Sequence, residues 1–304
     1  MAEGPGTNDA LNDEAAIWYD DDGAGEAGEA REAVLLVHGG LFDPMDGARF
    51  WRAPGVVSDL VAAGYRVLTP DRRFHGRTMA PFAAHSWARE ASDLLAVLGH
   101  AGLERVHVVA GSNGCSAALR LALLAPKTVA SLALCWPAAP RDEALDAAFE
   151  LSAGAVERQG PAAYLAALRD MSIPRPGEIE TRPVFPWGLT LPRDDALAAS
   201  FCALPSGEAA RIMRETARSL LQGTLLRGLD EHDATVLSRQ DIPIAVLPAE
   251  PENPCHPLAT AQSLAAALPG CRLLPGYPEP PTPLFPARRA EFAATLAGWL
   301  ANAC

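Results

Sequence analysis

The sequence is short of positive charge. Its 304 residues carry 25 lysines and arginines against 37 aspartates and glutamates, a formal charge of −12. Phosphate backbones and anionic headgroups repel such a surface over roughly a Debye length, about 8 Å at physiological salt, which excludes nucleic acid and membrane surfaces as partners. No apolar run is long enough to cross a bilayer. The start lacks a basic-then-apolar leader with a small-residue cleavage site, and this predicts a cytoplasmic protein. Six cysteines, Cys115, Cys135, Cys202, Cys255, Cys271 and Cys304, are scattered without metal-ligand spacing. In a reducing compartment they predict neither a disulfide framework nor a zinc site. Glutamates and a histidine cluster between residues 250 and 256, but no second histidine or cysteine stands at ligand spacing, so no metal and no cofactor is expected. The partner class left is a small-molecule substrate.

Apolar residues make up 49% of the chain and charged residues 20%, the balance of a folded protein with a large core. Residues 1–14, "MAEGPGTNDALNDE", are polar, acidic and glycine-containing and are expected to be disordered. A strand, an acidic turn and a wholly apolar strand, Ala33 to Val37, follow. Strands and amphipathic helices then alternate through "YRVLTPD", "SWAREASDLLAVLGHAG", "VHVVAGS", "GCSAALRLALLA" and "VASLALCW". This repetition predicts an α/β fold with a mostly parallel, doubly wound sheet. After Trp136 the rhythm stops. Residues 140–240 read as an inserted helical lid with proline-broken loops, and the sheet pattern resumes in "IPIAVLPAE" and "CRLLPG". The core is therefore expected in residues 15–139 and 241–304.

"VHVVAGSNGCSAALRLAL" sets Ser112 between an apolar strand and an alanine-rich helix, flanked by Gly111 and Gly114. A sharp strand-to-helix turn of small residues lifts a serine hydroxyl above the sheet, although packing or anion binding explains such a turn as well. Upstream, "LLVHGG" and "LTPDRRFHGRT" follow the preceding strands. Together the three segments resemble the α/β-hydrolase superfamily, from the strand near Trp18 to the last helix. The resemblance implies that Ser112 is a nucleophile. It also implies an oxyanion hole from the backbone N–H of Asn113 and of Gly40 or Leu41, each such donor contributing about 2.7 to 4 kcal/mol to a transition state.

Two departures stand against that pattern. After the seventh strand the superfamily places an acid, where "LPAEPENPCHPLAT" puts Asn253, with Glu250 and Glu252 near it. After the eighth it places a histidine, where "LLPGYPEPPTPLFP" has none and Glu279 stands in the position. Either burial lifts the pKa of Glu279 until it serves as acid or base, or the parts have changed places. In the second case His256 supplies the imidazole and Glu279 or Glu252 the carboxylate, since a triad is defined by geometry rather than chain order. His256 can equally be a capping or packing residue.

"LFDPMDG" is expected at the pocket mouth, with Phe42 and Asp43 beside the substrate, and Trp136 and Trp187 (the latter next to Phe185) as aromatic walls near the lid. Turn chemistry and lid packing are the competing explanations. The leading expectation is an enzyme that attacks a small, apolar ester, lactone or thioester through Ser112. One alternative is a non-hydrolytic elimination, cyclisation or isomerisation enzyme of secondary metabolism, and another is an inactive ligand-binding relative.

Overall fold

The computed structural model describes residues 9–23, 32–41, 43–140, 143–170 and 187–303. Its centre is an eight-stranded sheet: β1 (Asp9–Asn12), β2 (Ala15–Asp22), β3 (Ala33–Val37), β4 (Arg66–Pro70), β5 (Val106–Gly111), β6 (Val129–Cys135), β7 (Ile244–Leu247) and β8 (Arg272–Leu273). The spatial order is β1-β2-β4-β3-β5-β6-β7-β8. β1 and β2 run antiparallel to their neighbours, and every pair from β4–β3 to β7–β8 is parallel. Strands β3, β5 and β6 are buried at every residue because helices cover both faces, which is why they read as unbroken apolar runs.

Around the sheet lie α1 (Val56–Ala62), α2 (Trp87–His100), α3 (Gly114–Leu124), α9 (Leu258–Ala267) and α10 (Phe285–Asn302). Among the described residues, five helices stand between β6 and β7: α4 (Glu143–Gln159), α5 (Pro161–Asp170), α6 (Asp195–Cys202), α7 (Ser206–Leu221) and α8 (Glu231–Leu237). Of these α4 packs along α7. A π-helical turn, Ala48–Arg52, precedes α1.

Two expectations are corrected. Residues 9–12 belong to the sheet rather than to a disordered start: Ala10 is buried, β1 pairs with β2 from Asp9 opposite Trp18 to Asn12 opposite Ala15, and Asn12 Nδ2 donates to Asp93 at 2.7 Å. Their polar composition hid a short edge strand that turns straight back onto β2 and packs against α2. Trp136 is no pocket wall. It is fully buried on the α10 side of the sheet, stacked on Phe292 with centroids 5.3 Å apart, and its indole N–H donates to the Tyr277 carbonyl at 2.7 Å. Removing so large a buried ring leaves a cavity, so Trp136→Ala should lower unfolding stability by about 3–5 kcal/mol. Urea unfolding of the two proteins reads that difference directly.

Candidate active site

The end of β5 makes a tight turn into α3. Ser112 takes a left-handed conformation (φ 53°), an uncommon one for a serine, and its N–H donates to the Cys135 carbonyl at 2.9 Å, extending the β5–β6 ladder by one step. The turn closes only because α3 starts hard against β3. A Cβ on Gly114 would sit 2.6 Å from the His38 carbonyl oxygen and 2.7 Å from that of Val37. Asn113 caps α3 at its N-terminus, where unpaired N–H groups and the helix dipole favour negative charge. Its side-chain oxygen accepts from Arg227 Nη1 at 3.0 Å.

Ser112 Oγ lies 2.8 Å from His256 Nε2, and His256 Nδ1 lies 2.7 Å from Glu279 Oε1. With the serine hydroxyl donating to Nε2, the ring proton resides on Nδ1, the nitrogen nearer the carboxylate. The three side chains come from the ends of β5, β7 and β8, so the imidazole and the carboxylate stand on each other's expected loops. Asn253 ties them together: its Nδ2 donates to Glu279 Oε1 at 2.8 Å, and its Oδ1 accepts from the His256 and Cys255 N–H groups at 3.0 Å. Burial pushes the Glu279 carboxyl up, but the hydrogen bond and charge of His256, with the bond from Asn253, outweigh it and hold the group below its ordinary value. Glu279 is therefore an ionised partner, and the expectation that burial lifts it into the acid-base range is corrected. Glu252 is not part of this constellation. It is exposed, and its carboxylate accepts from the Leu258 N–H at 2.7 Å, capping α9.

The loop after β3 meets the turn at Ser112 directly: a Cβ on Gly39 would stand 2.8 Å from the serine Cβ. Gly40, with φ 88°, takes a conformation that glycine adopts without strain, and Leu41 is partly buried beside it. The loop is braced from behind by His38, and by Arg72 and Glu90, which sequence reading missed. His38 Nδ1–H donates to the Gly39 carbonyl at 2.6 Å and Nε2 accepts from the Arg72 N–H at 2.9 Å. The Arg72 guanidinium pairs with Glu90 through Nε (2.7 Å) and Nη2 (3.1 Å), and Glu90 also meets His85 Nε2 at 2.6 Å. The available signal was Glu90 and Asp93 on the apolar face of α2 among Trp87, Ala91, Leu94 and Val97, since carboxylates buried there require cationic partners. Arg72 and Arg73 are those partners. No pattern in the sequence pointed to Arg227.

The remaining pocket expectations fare differently. Asp43 lines a cavity of about 200 Å³ with Asp46, Arg49, His75, Thr190 and Arg193; among the described residues its lining omits Ser112. Its carboxylate accepts from the Met45 N–H at 3.2 Å, the turn role weighed against substrate contact. Trp187 is fully buried among Phe74, Phe82 and Phe149 and anchors the inserted helices to the core, so its ring offers no surface to a ligand. Phe42 and Phe185 lie outside the described residues.

The α/β-hydrolase fold family model matches residues 32–177. A protein of Azorhizobium caulinodans named "Putative carbamate hydrolase RutD" is 31% identical over 154 residues, 51% of this chain and 53% of its own length. The chain spans about half the length of the curated relatives it matches. Among solved structures, the meta-cleavage product hydrolase of Pseudomonas fluorescens IP01 superposes with a TM-score of 0.61 at 17% identity, over 99% of this chain and 98% of that one. The enol-lactonase of Burkholderia xenovorans LB400 gives 0.58 at 19% identity, over 95% and 97%. The chain has the α/β-hydrolase fold, and residues 32–177 match that family's model. Among the described residues no helix is long and apolar enough to cross a membrane.

Two imidazoles behind the loop give the stability a pH dependence. Burial, and then the charge of Arg72, lowers His38 well below its ordinary value and His75 to about 4. The unfolded chain binds protons at these rings near pH 6.5, and the native chain does so only at much lower pH. Stability is thus complete above about pH 6.5 and falls toward pH 4, at up to about 1.4 kcal/mol per pH unit for each ring. Asp71 and Asp93, raised by burial, act in the opposite sense in the carboxylate range. Urea unfolding between pH 7.5 and 5 should show the decline, with a shallower slope for His75→Asn.

Proposed function

We propose that the protein is a serine hydrolase that cleaves a small, apolar carbonyl compound, an ester, lactone or thioester, through an acyl-enzyme on Ser112. The observation that carries this reading is the contact of Ser112 Oγ with His256 Nε2 at 2.8 Å, backed by Glu279 at 2.7 Å from Nδ1. His256 takes the hydroxyl proton as Oγ attacks the carbonyl carbon, and Glu279 holds the imidazolium that forms. The negative charge on the carbonyl oxygen falls to the N–H groups of Asn113 and of Gly40 or Leu41. Collapse of the tetrahedral intermediate breaks the bond to the leaving group, which receives the proton from His256. Water then attacks the acyl-enzyme by the same route and frees Ser112. Helices α4 to α8 cover the site as a lid.

An imidazole within reach of the serine removes the main motive for a non-hydrolytic or inactive reading, which was the absence of a base. The hydrolase names of relatives and the lactonase among the structural neighbours support the reaction class. A cytoplasmic location accords with the free state of the five cysteines among the described residues, two of them fully buried, since a reducing compartment keeps thiols unpaired.

A fluorophosphonate should add one adduct per chain, read by intact mass, and Ser112→Ala should abolish it. An unlabelled wild type that turns over no aryl ester removes the covalent mechanism. Glu279→Gln should reduce ester turnover by about 10² to 10⁴, as loss of the imidazole's orienting charge does in other triads. Glu252→Gln should leave kcat within about twofold and cost no more than about 1 kcal/mol of stability, as expected of a helix cap. Measuring both variants on one aryl ester separates the two carboxylates.

A further inference from the structure

Arg72 makes more contacts than an ion pair needs. Its Nε and Nη2 satisfy Glu90, and its Nη1 faces three main-chain oxygens: His38 at 2.9 Å, Gly39 at 3.1 Å and Gly40 at 3.1 Å. The side chains of both Arg72 and Glu90 are about as buried as any in the protein, at 1% and 2% exposure. Each carbonyl shares its peptide unit with the N–H of the next residue, so the carbonyls of Gly39 and Gly40 belong to the same planar units as the N–H groups of Gly40 and Leu41. Those are the groups assigned above to the oxyanion.

We propose that Arg72 is the positioning residue of the oxyanion loop: one guanidinium, anchored by Glu90, fixes the orientation of three consecutive peptide units and polarises the N–H groups on their far side. The catalytic part of this inference rests on the hydrolase reading; the clamp itself does not. A donor whose own carbonyl accepts a charge-assisted bond is a stronger donor, and the effect is larger away from water. Preorganisation follows as well, since a peptide held by its oxygen needs no reorientation when charge develops at its N–H. Glu90 balances the charge, so the clamp is fixed from the side away from Ser112 without leaving an unpaired buried cation. His38 adds a second hold on the Gly39 carbonyl and meets the Arg72 main chain. Arg73 is a natural control. It forms an equally buried pair with Asp93 at 2.6 Å, one residue along the chain, yet among the described residues its side chain meets the main chain at the Asn12 carbonyl, at 3.5 Å, and not at the loop.

The test is Arg72→Lys beside Arg73→Lys in the full chain. A lysine keeps the charge, but its single ammonium cannot serve both the carboxylate and the loop. Both variants should lose thermal stability. In Arg72→Lys alone, hydrogen exchange of the amides of residues 38–41 should quicken by about tenfold or more while β3 keeps its protection. Aryl ester turnover should show kcat lower by about 10- to 100-fold with KM within about threefold, the pattern of a contact made chiefly in the transition state. Affinity for an aryl boronic acid, which forms a tetrahedral adduct, should fall in parallel. Unchanged loop exchange in a folded Arg72→Lys overturns the clamp. Equal loop loosening or equal kcat loss in Arg73→Lys overturns it too, by making the effect one of general packing. If Arg72→Lys loosens the loop yet keeps wild-type kcat, the catalytic role falls. A wild type without turnover or labelling defeats the hydrolase reading and the catalytic role with it, and loop exchange then decides the clamp alone. Should Arg72→Lys not fold, Glu90→Gln carries the same measurements, because it keeps a hydrogen-bonding anchor while weakening its charge.

Discussion

The site depends on how the sheet ends. Past their short ladder, β7 and β8 stay in parallel register: Glu250 N–H donates to the Tyr277 carbonyl at 3.0 Å, and Tyr277 N–H donates to that of Pro248 at 3.1 Å. These two bonds bring the loop carrying Asn253 and His256 alongside the loop carrying Glu279. The neighbouring ladder does the same on the other side, where Trp136 N–H donates to the Leu247 carbonyl and Ala139 N–H to that of Cys255. With both flanks fixed by main-chain bonds, the imidazole can reach Ser112 from the seventh strand and the carboxylate can back it from the eighth. Side chains within one cluster can exchange loops when the backbone places both loops at the same edge.

A second constraint comes from charge. Arg72, Arg73, Glu90 and Asp93 are all buried between α2 and the ends of β3 and β4. Ions in that setting are tolerated only when paired and hydrogen-bonded, and removing one partner costs far more than a surface pair is worth. Glu90 illustrates the balance: burial disfavours its charge, and the guanidinium of Arg72 more than restores it. His38 and His75 remain neutral in the same neighbourhood because burial disfavours their charged forms and the charge of Arg72 adds to that. The loop that approaches Ser112 is therefore held by a set of groups whose protonation states are mutually fixed.

Much of the scaffold was legible. The apolar runs of β3, β5 and β6 and the helical periodicity of α2 and α3 are local signals, and so is the small-residue turn around Ser112, since only glycine permits α3 to press against the carbonyls of Val37 and His38. The aromatic residues were less legible. Trp136 and Trp187 follow the strand end and the inserted segment where a pocket wall would stand, yet both are wholly enclosed, one against Phe292 and the other among Phe74, Phe82 and Phe149. A large ring in a loop is as useful for sealing a layer as for meeting a ligand, and sequence does not distinguish the two.

By itself the sequence determined the order of the strands from β2 onward, the sharp turn at Ser112 and the absence of a histidine after the eighth strand, because these depend on residues close along the chain. Which carboxylate faces His256, that Glu279 stays ionised, and that Arg72 grips the loop after β3 were decided only by the tertiary structure. Each joins groups from distant segments within 3 Å or so, and hydrogen-bond distance and desolvation are properties of the packed state that no local pattern encodes.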